Sequence, residues 1–201
     1  MPARDRRRTG RRPAVVTSEV ASLESLLKNP SPAAPPRVNV LQYLADDYVE
    51  LRKAGQNRSP NVIAILNQII AGYPQYPSID EALYDLGLEY EVSGDLPNAH
   101  GAYLDLIRLH PTSRWVPAAH FALGELLLRA AKTDATKWVL ALSEYDETLK
   151  DGNSALLPDA LWRSGQAADQ AGDPVRAAAF YVRLRHDYPD SAAAARIGEV
   201  P

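Results

Sequence analysis

The side chains best suited to chemistry in this sequence are four histidines and a few serines within helix-forming segments. The histidines are His100, His110, His120 and His186. None has a second histidine four residues away, so the spacing does not predict a zinc site. Ser143 and Ser164 lack the G-x-S-x-G turn that exposes a nucleophilic serine. We interpret His120 as a half-buried, hydrogen-bonded packing residue, and we expect no catalytic constellation, no metal and no cofactor.

Composition limits the kind of protein further. The 201 residues are 46% apolar, carry a net charge of −3 and include no cysteine. A disulfide, a thiolate metal site and a cysteine nucleophile are therefore excluded. No segment approaches the roughly 18 apolar residues of a membrane span, and no apolar stretch of signal-peptide length follows the first arginines. As written, the sequence predicts a cytoplasmic protein; the alternative is the periplasm or cell envelope if the natural chain is longer.

The N-terminal segment differs in charge from the rest of the chain. Its basic residues are Arg4, Arg6, Arg7, Arg8, Arg11 and Arg12. The prolines of "NPSPAAPP", residues 29–36, favour an extended linker, although residues 17–28 have some amphipathic character. We therefore predict that residues 1–37 form a disordered, basic and proline-rich tail, and that residues 38–201 form the folded body. A basic tail of this kind could dock on nucleic acid or on an anionic membrane surface.

The body shows a helical period that repeats. Apolar residues recur every three or four positions over residues 80–93 and again over 96–110, and "SGD" separates the two runs. This pattern predicts a helical hairpin. Its positions Leu83, Leu86, Gly87, Tyr90, Ala99, Tyr103 and Pro111 recur at identical spacing as Leu161, Ser164, Gly165, Ala168, Ala177, Tyr181 and Pro189. We expect the glycines and alanines to allow close helix approach, and the tyrosines to fill the gap towards the next hairpin.

These residues resemble those of the tetratricopeptide repeat (TPR) family, whose unit is a pair of antiparallel helices. The resemblance implies an all-α fold, a right-handed α-solenoid of about four TPR hairpins. The expected units are residues 38–74, 75–111, 112–152 and 153–189, followed by a C-terminal cap over 190–201. The third unit carries five extra residues near "KTDATKW".

The joints between the hairpins give a narrower resemblance. "GYPQYPS", "HPTS" and "YPDS" are similar to the aromatic-Pro-x-Ser joints of bacterial cell-envelope TPR proteins, such as the lipoprotein of the β-barrel assembly machinery and the Tol-Pal coordinator. The third and fourth units also resemble TPR proteins of gliding and related delta-proteobacteria. This resemblance implies a role in a cell-envelope or motility assembly.

The TPR family binds partners in a concave groove lined by the first helix of each unit. Transferring the family's lining positions to this sequence selects aromatic, apolar and acidic residues. The resulting groove residues are Glu81, Tyr84, Leu88, Glu91, Phe121, Glu125, Leu128, Asp159, Trp162 and Asp169. Tyr84, Phe121 and Trp162 would form a ladder of rings between carboxylates. The alternative is that Phe121 and Trp162 pack against neighbouring helices and that the acids are only a solvated face.

Such a groove favours a basic and apolar peptide, because rings bury apolar side chains and carboxylates attract lysine or arginine. We therefore expect a non-catalytic scaffold for protein–protein interaction. An adaptor that docks through its arginine tail is the alternative function. An enzyme would need carboxylates or histidines that converge in one pocket, and the sequence does not predict such a pocket.

Overall fold

Helices make up most of the residues that the computed structural model describes, which are 12–32, 34–151 and 155–199. Over these residues the chain forms ten α-helices, a C-terminal 3-10 helix and no strand. The α-helices are α1 (Pro13–Lys28), α2 (Arg37–Lys53), α3 (Ser59–Gly72), α4 (Ile79–Ser93), α5 (Leu96–Leu109), α6 (Val116–Ala130), α7 (Lys137–Leu149), α8 (Leu157–Gln170), α9 (Pro174–Asp187) and α10 (Ala192–Ala195). The chain divides into two compact units, Met1–Ala102 and Tyr103–Pro201.

The helix boundaries follow from local sequence signals. A proline lies in the first turn of α1, α3, α6, α8 and α9, where a missing N–H costs no intrahelical hydrogen bond. Asp173 caps α9, since its side chain accepts a hydrogen bond from the backbone N–H of Arg176 at 3.0 Å. After α4, Gly94 has a φ of 82°, a left-handed conformation that glycine adopts without strain and that ends the helix.

The first unit is built on helices that pack against their neighbours in sequence: α1 on α2, α2 on α3, and α3 on α4. Its core contains buried aliphatic side chains from all four helices, among them Val16, Leu41, Leu66 and Ile79. The eight helices expected between residues 38 and 190 are present as α2 to α9, and the all-α fold class is confirmed.

The tail prediction is wrong for residues 13–28, which form α1. Val16 and Val20 are 1% and 8% exposed, and Leu23 and Leu27 pack against the same core. Tyr48 of α2 donates a hydrogen bond to Glu24, and Arg37 donates to the backbone carbonyl of Leu27 at 2.9 Å. Burial of an apolar stripe on α2 therefore outweighs the effect of the flanking prolines and arginines.

The second unit repeats the same packing, with α6 on α7, α7 on α8, α8 on α9, and the short α10 against α8 and α9. In the hairpins α6–α7 and α8–α9, a tyrosine of the second helix packs against a glycine of the first helix. A Cβ atom placed on Gly124 would lie 2.5 Å from Cε1 of Tyr145, and one on Gly165 would lie 2.3 Å from Cε1 of Tyr181. Tyr181 was expected to fill the gap towards the next hairpin; it lies instead across Gly165 of its own hairpin.

Candidate partner-binding surface

In the first unit, α4 carries four of the predicted groove residues. Leu88 is 37% exposed, while Glu81, Tyr84 and Glu91 are partly buried. Burial raises the pKa of the Tyr84 phenol, and the charges of Asp85 and Glu91 raise it further. The phenol therefore stays protonated at neutral pH and remains a hydrogen-bond donor. This face of α4 combines an exposed aliphatic side chain, a neutral phenol and two carboxylates.

A cleft of about 180 Å³ lies beside this face, between α2 and α4. Its apolar lining comes from Ala45, Val49, Val62, Leu66 and Leu88, and its polar lining comes from Gln42, Asp46, Arg52, Lys53, Asp85 and Glu89. The lining thus combines apolar side chains with three carboxylates and two cationic side chains. The volume of the cleft is below the roughly 300 to 1,000 Å³ that is typical of small-molecule sites.

An ion pair joins the two helices that form the cleft. Glu89 of α4 is 3% exposed, and its Oε1 accepts a hydrogen bond from Nε of Arg52 of α2 at 3.1 Å. Nη2 of Arg52 lies 2.9 Å from the same oxygen. The other oxygen of Glu89, Oε2, is buried and makes no hydrogen bond within the described residues. A buried carboxylate is costly unless it is paired, so Arg52 offsets the charge of Glu89 and joins α2 to α4.

The register that selected residues of α4 also finds residues of α2. If Asp80 is the first position of its unit, Tyr84, Leu88 and Glu91 are the fifth, ninth and twelfth. The same positions of the first unit, counted from Val38, are Gln42, Asp46 and Val49. All three line the cleft, and none was among the predicted site residues. The sequence therefore contained the signal for this half of the surface.

In the second unit, the two aromatic rings that were predicted to face a ligand, Phe121 and Trp162, are largely covered by other helices. Trp162 is only 6% exposed, because it packs on Tyr181 with ring centroids 5.5 Å apart and is covered by residues of α9 and α10. The prediction that Trp162 offers a ring to a ligand is wrong. Phe121 is partly buried and packs on Tyr145 at 5.6 Å between centroids. Leu128 is partly buried beside it.

The predicted acids of the second unit already have partners within the chain. Glu125 accepts a hydrogen bond from the hydroxyl of Tyr145 at 2.7 Å and is ion-paired to Arg163 at 2.8 Å. Asp169 accepts a hydrogen bond from Tyr181 at 3.1 Å. Oδ1 of Asp159 lies 3.6 Å from Nη1 of Arg196. These three carboxylates were predicted to attract a basic ligand, and the structure uses each of them to join helices.

The histidines and the basic segment complete the list of candidates. His120 is confirmed as a half-buried, hydrogen-bonded residue, with Nδ1 2.7 Å from Oε2 of Glu144. Within the described residues no three histidine, aspartate or glutamate side chains are grouped to hold a metal, and no helix is long and apolar enough to cross a membrane. Arg12 is exposed just before α1. The other predicted tail residues, Arg4, Arg6, Arg7, Arg8 and Arg11, lie outside the described residues.

Successive hairpins and this surface define a protein of the helical-repeat class. Residues 159–191, which cover most of α8 and all of α9, match the family model of the tetratricopeptide repeat. The sequence match therefore falls on the fourth predicted unit. No curated protein sequence matches the chain.

Solved structures extend this result from one hairpin to the whole fold. A TPR protein from Parabacteroides merdae is 18% identical, with a TM-score of 0.65; the match covers 81% of this chain but only 57% of that protein. A MamA protein is 16% identical, with a TM-score of 0.65 and coverage of 94% and 90% of the two chains. PilF of Pseudomonas aeruginosa is 16% identical, with a TM-score of 0.61 and coverage of 92% and 81%. These likenesses show the fold, an all-α solenoid of the TPR type.

Proposed function

We propose that this protein is a non-catalytic scaffold that binds a segment of a partner protein on the first helices of its hairpins. The observation that carries the proposal is the surface of the first unit, where Leu88 is exposed beside a cleft that has both apolar and charged lining residues. The TPR fold supports it, since stacked helical hairpins present extended binding surfaces. We take the partner to be a protein or peptide with basic and apolar side chains.

The process served is a further part of the proposal. The joints between hairpins resemble those of cell-envelope TPR proteins, and the fold is like that of PilF and of PilW, a type IV pilus biogenesis factor matched at 14% identity with a TM-score of 0.58. We therefore propose a partner in a bacterial cell-envelope or motility assembly. Fractionation of cells that carry the tagged genomic copy tests this, and recovery from the cytosol alone would contradict an envelope location.

Affinity purification with one matched pair of variants tests the binding surface. In Leu88→Glu, a charge replaces the exposed aliphatic side chain of the surface. Val139→Glu makes the same change on α7, where Val139 is 59% exposed and lies outside the proposed surface. A partner that is lost with Leu88→Glu, is retained with Val139→Glu and binds the purified wild-type chain supports the proposal. Equal recovery with both variants would contradict it.

A further inference from the structure

We propose that the exposed face of α4 binds a second copy of this chain, which docks there with the exposed face of its α9. The inference rests on the proposed function, because it uses the same surface and names a basic and apolar segment that fits it. The two faces lie in different units of the chain, and they are matched in apolar content and opposite in charge.

The outer face of α9 carries an apolar stripe that the described residues leave exposed. Val175 and Val182 are 81% and 67% exposed, the highest values among the large apolar side chains in the described part of the chain. Ala178 and Ala179 lie between them and are also exposed. Spacings of three, four and seven residues place all four on one side of a helix. We call these four residues the α9 stripe; the opposite side of α9 is buried in the core of the second unit.

Positive charge surrounds the α9 stripe. The helix has one carboxylate, Asp187, and three guanidinium groups, those of Arg176, Arg183 and Arg185. Arg185 lies three residues after Val182, on the same side of the helix, and its exposed side chain makes no ion pair with any described residue. The α9 face therefore combines basic and apolar side chains, which is the chemistry proposed for the ligand of the α4 surface.

The face of α4 is apolar and acidic. Tyr84, Leu88 and Val92 follow one another at four-residue spacing, and Val92 is 55% exposed. We call these three residues the α4 stripe. The helix has no lysine or arginine and five carboxylates, those of Asp80, Glu81, Asp85, Glu89 and Glu91. All five already interact within the chain, so we assign to them the attraction exerted by the whole face and no new ion pair.

The two stripes are similar in length and suit contact between unlike faces. At roughly 1.5 Å per residue, the α9 stripe is about 10 Å long and the α4 stripe about 12 Å. Two α9 faces or two α4 faces would bring like charges together, whereas an α9 face and an α4 face attract each other. A dimer joined in this way keeps one face of each kind unoccupied, so a third copy can add to it.

Sedimentation equilibrium of the full-length chain tests self-association directly. Since the stripes are short, we expect a weak interface, below about 1,200 Å², and the measurement therefore runs from micromolar to millimolar concentration. The average mass should rise with concentration at low salt. The association should weaken in 1 M salt, where the Debye length is about 3 Å. The mass of a monomer at every concentration would overturn the proposal.

Substitutions on one face at a time assign the association to the two stripes. Val182→Glu places a carboxylate in the α9 stripe, and Leu88→Glu places one in the α4 stripe. Each should weaken self-association at least tenfold, whereas Val139→Glu, the same change at an exposed valine of α7, should leave it unchanged. Arg185→Glu keeps the apolar residues of α9 and should weaken association severalfold. Wild-type circular dichroism verifies the fold of each variant. Equal association of Val182→Glu and Val139→Glu would overturn the role of α9.

An equimolar mixture of Leu88→Glu and Val182→Glu separates contact between unlike faces from a symmetric contact. The first variant retains an intact α9 stripe, and the second retains an intact α4 stripe. The mixture should therefore form a dimer and nothing larger, while each variant alone stays monomeric. A mixture that also stays monomeric would overturn the pairing of α9 with α4.

Removal of residues 1–11 tests the other basic segment of the chain as the occupant of the α4 face. If this removal abolishes self-association while Val182→Glu leaves it intact, the assignment to α9 is overturned. Failure of the proposed function has a separate readout, because it depends on partners recovered from cells. A chain that stays monomeric but loses a partner with Leu88→Glu would overturn the self-association alone, whereas equal recovery of partners with Leu88→Glu and Val139→Glu would contradict the proposed function.

Discussion

Arg163 of α8 holds Glu125 of α6 with two nitrogens, Nε at 2.8 Å from Oε1 and Nη2 at 2.9 Å from Oε2. The same carboxylate accepts a hydrogen bond from the hydroxyl of Tyr145, a buried residue of α7. Three helices of two successive hairpins thus meet at one carboxylate. Because of this arrangement, we expect substitutions of Glu125 and of Arg163 to lower the free energy of unfolding by different amounts.

Glu125→Ala should destabilise the chain more than Arg163→Ala. The ion pair is partly exposed, so loss of the arginine should cost about 0.5 to 1 kcal/mol. Loss of the carboxylate also leaves a buried phenol without its acceptor, and we expect about 1 to 3 kcal/mol. Urea unfolding measures the loss of stability in both variants. Glu125→Gln keeps an acceptor for Tyr145, so its loss should lie between those of the two alanine variants. Equal costs for the two alanine variants would contradict the shared carboxylate.

Gly165→Ala should destabilise the fourth hairpin by roughly 1 to 3 kcal/mol, because the added Cβ would lie 2.3 Å from the Tyr181 ring. Gly101→Ala is the matched control, since Gly101 lies on an exposed face of α5 with no atom within 4 Å of a Cβ. That change should stabilise the chain by about 0.5 to 1 kcal/mol through helix propensity. Thermal unfolding compares the two, and a loss of similar size in both would mean that the ring does not set the cost.

Val16→Ala should reduce the free energy of unfolding by about 1.5 to 3 kcal/mol, because the side chain of Val16 packs from α1 into the core. Its neighbour Val15 is 48% exposed, and Val15→Ala should change stability by no more than about 0.5 kcal/mol. Hydrogen exchange of the α1 amides provides a direct reading. Rapid exchange throughout α1, together with equal effects of the two variants, would restore the disordered tail that the sequence predicted.

Stability should fall as pH rises above 10, and Tyr48 should contribute to the loss. Burial raises the pKa of Tyr48 to about 12, with further contributions from the hydrogen bond to Glu24 and its charge, while Arg58 opposes the shift. A phenol whose pKa is raised by folding stabilises the folded state fully below the unfolded pKa of about 10, and the effect is lost as pH rises through about 12. Urea midpoints at pH 9 to 12 should fall less steeply in Tyr48→Phe than in the wild type. Parallel slopes would exclude this residue as a source of the loss.

The helical hairpins could be predicted because their packing residues recur at fixed spacing. Leu83, Gly87 and Tyr103 have counterparts in Leu161, Gly165 and Tyr181. The helix α1 has no such counterpart, and the prolines that follow it in residues 29–36 favour an extended segment. Its four core-facing residues, from Val16 to Leu27, do follow helical spacing, which is the signal that the sequence contained.

The candidate surface was harder to predict than the fold. Family register places Trp162 and Glu125 on the first helices correctly, but it does not reveal what covers them. Glu125 is paired with an arginine 38 residues later, and Trp162 is covered by residues of α9 and α10. Such long-range partners depend on the packing of whole helices, and no local pattern encodes them.

The tyrosines that lie across glycines also bear on how the chain is made. Tyr145 and Glu125 are 20 residues apart in sequence, and Tyr181 and Asp169 are 12 apart. Contacts this local close with little loss of chain entropy and are associated with fast folding. These contacts within a hairpin are therefore among the first that the second unit can make as its helices leave the ribosome, whereas the contacts between hairpins must wait for the next helix.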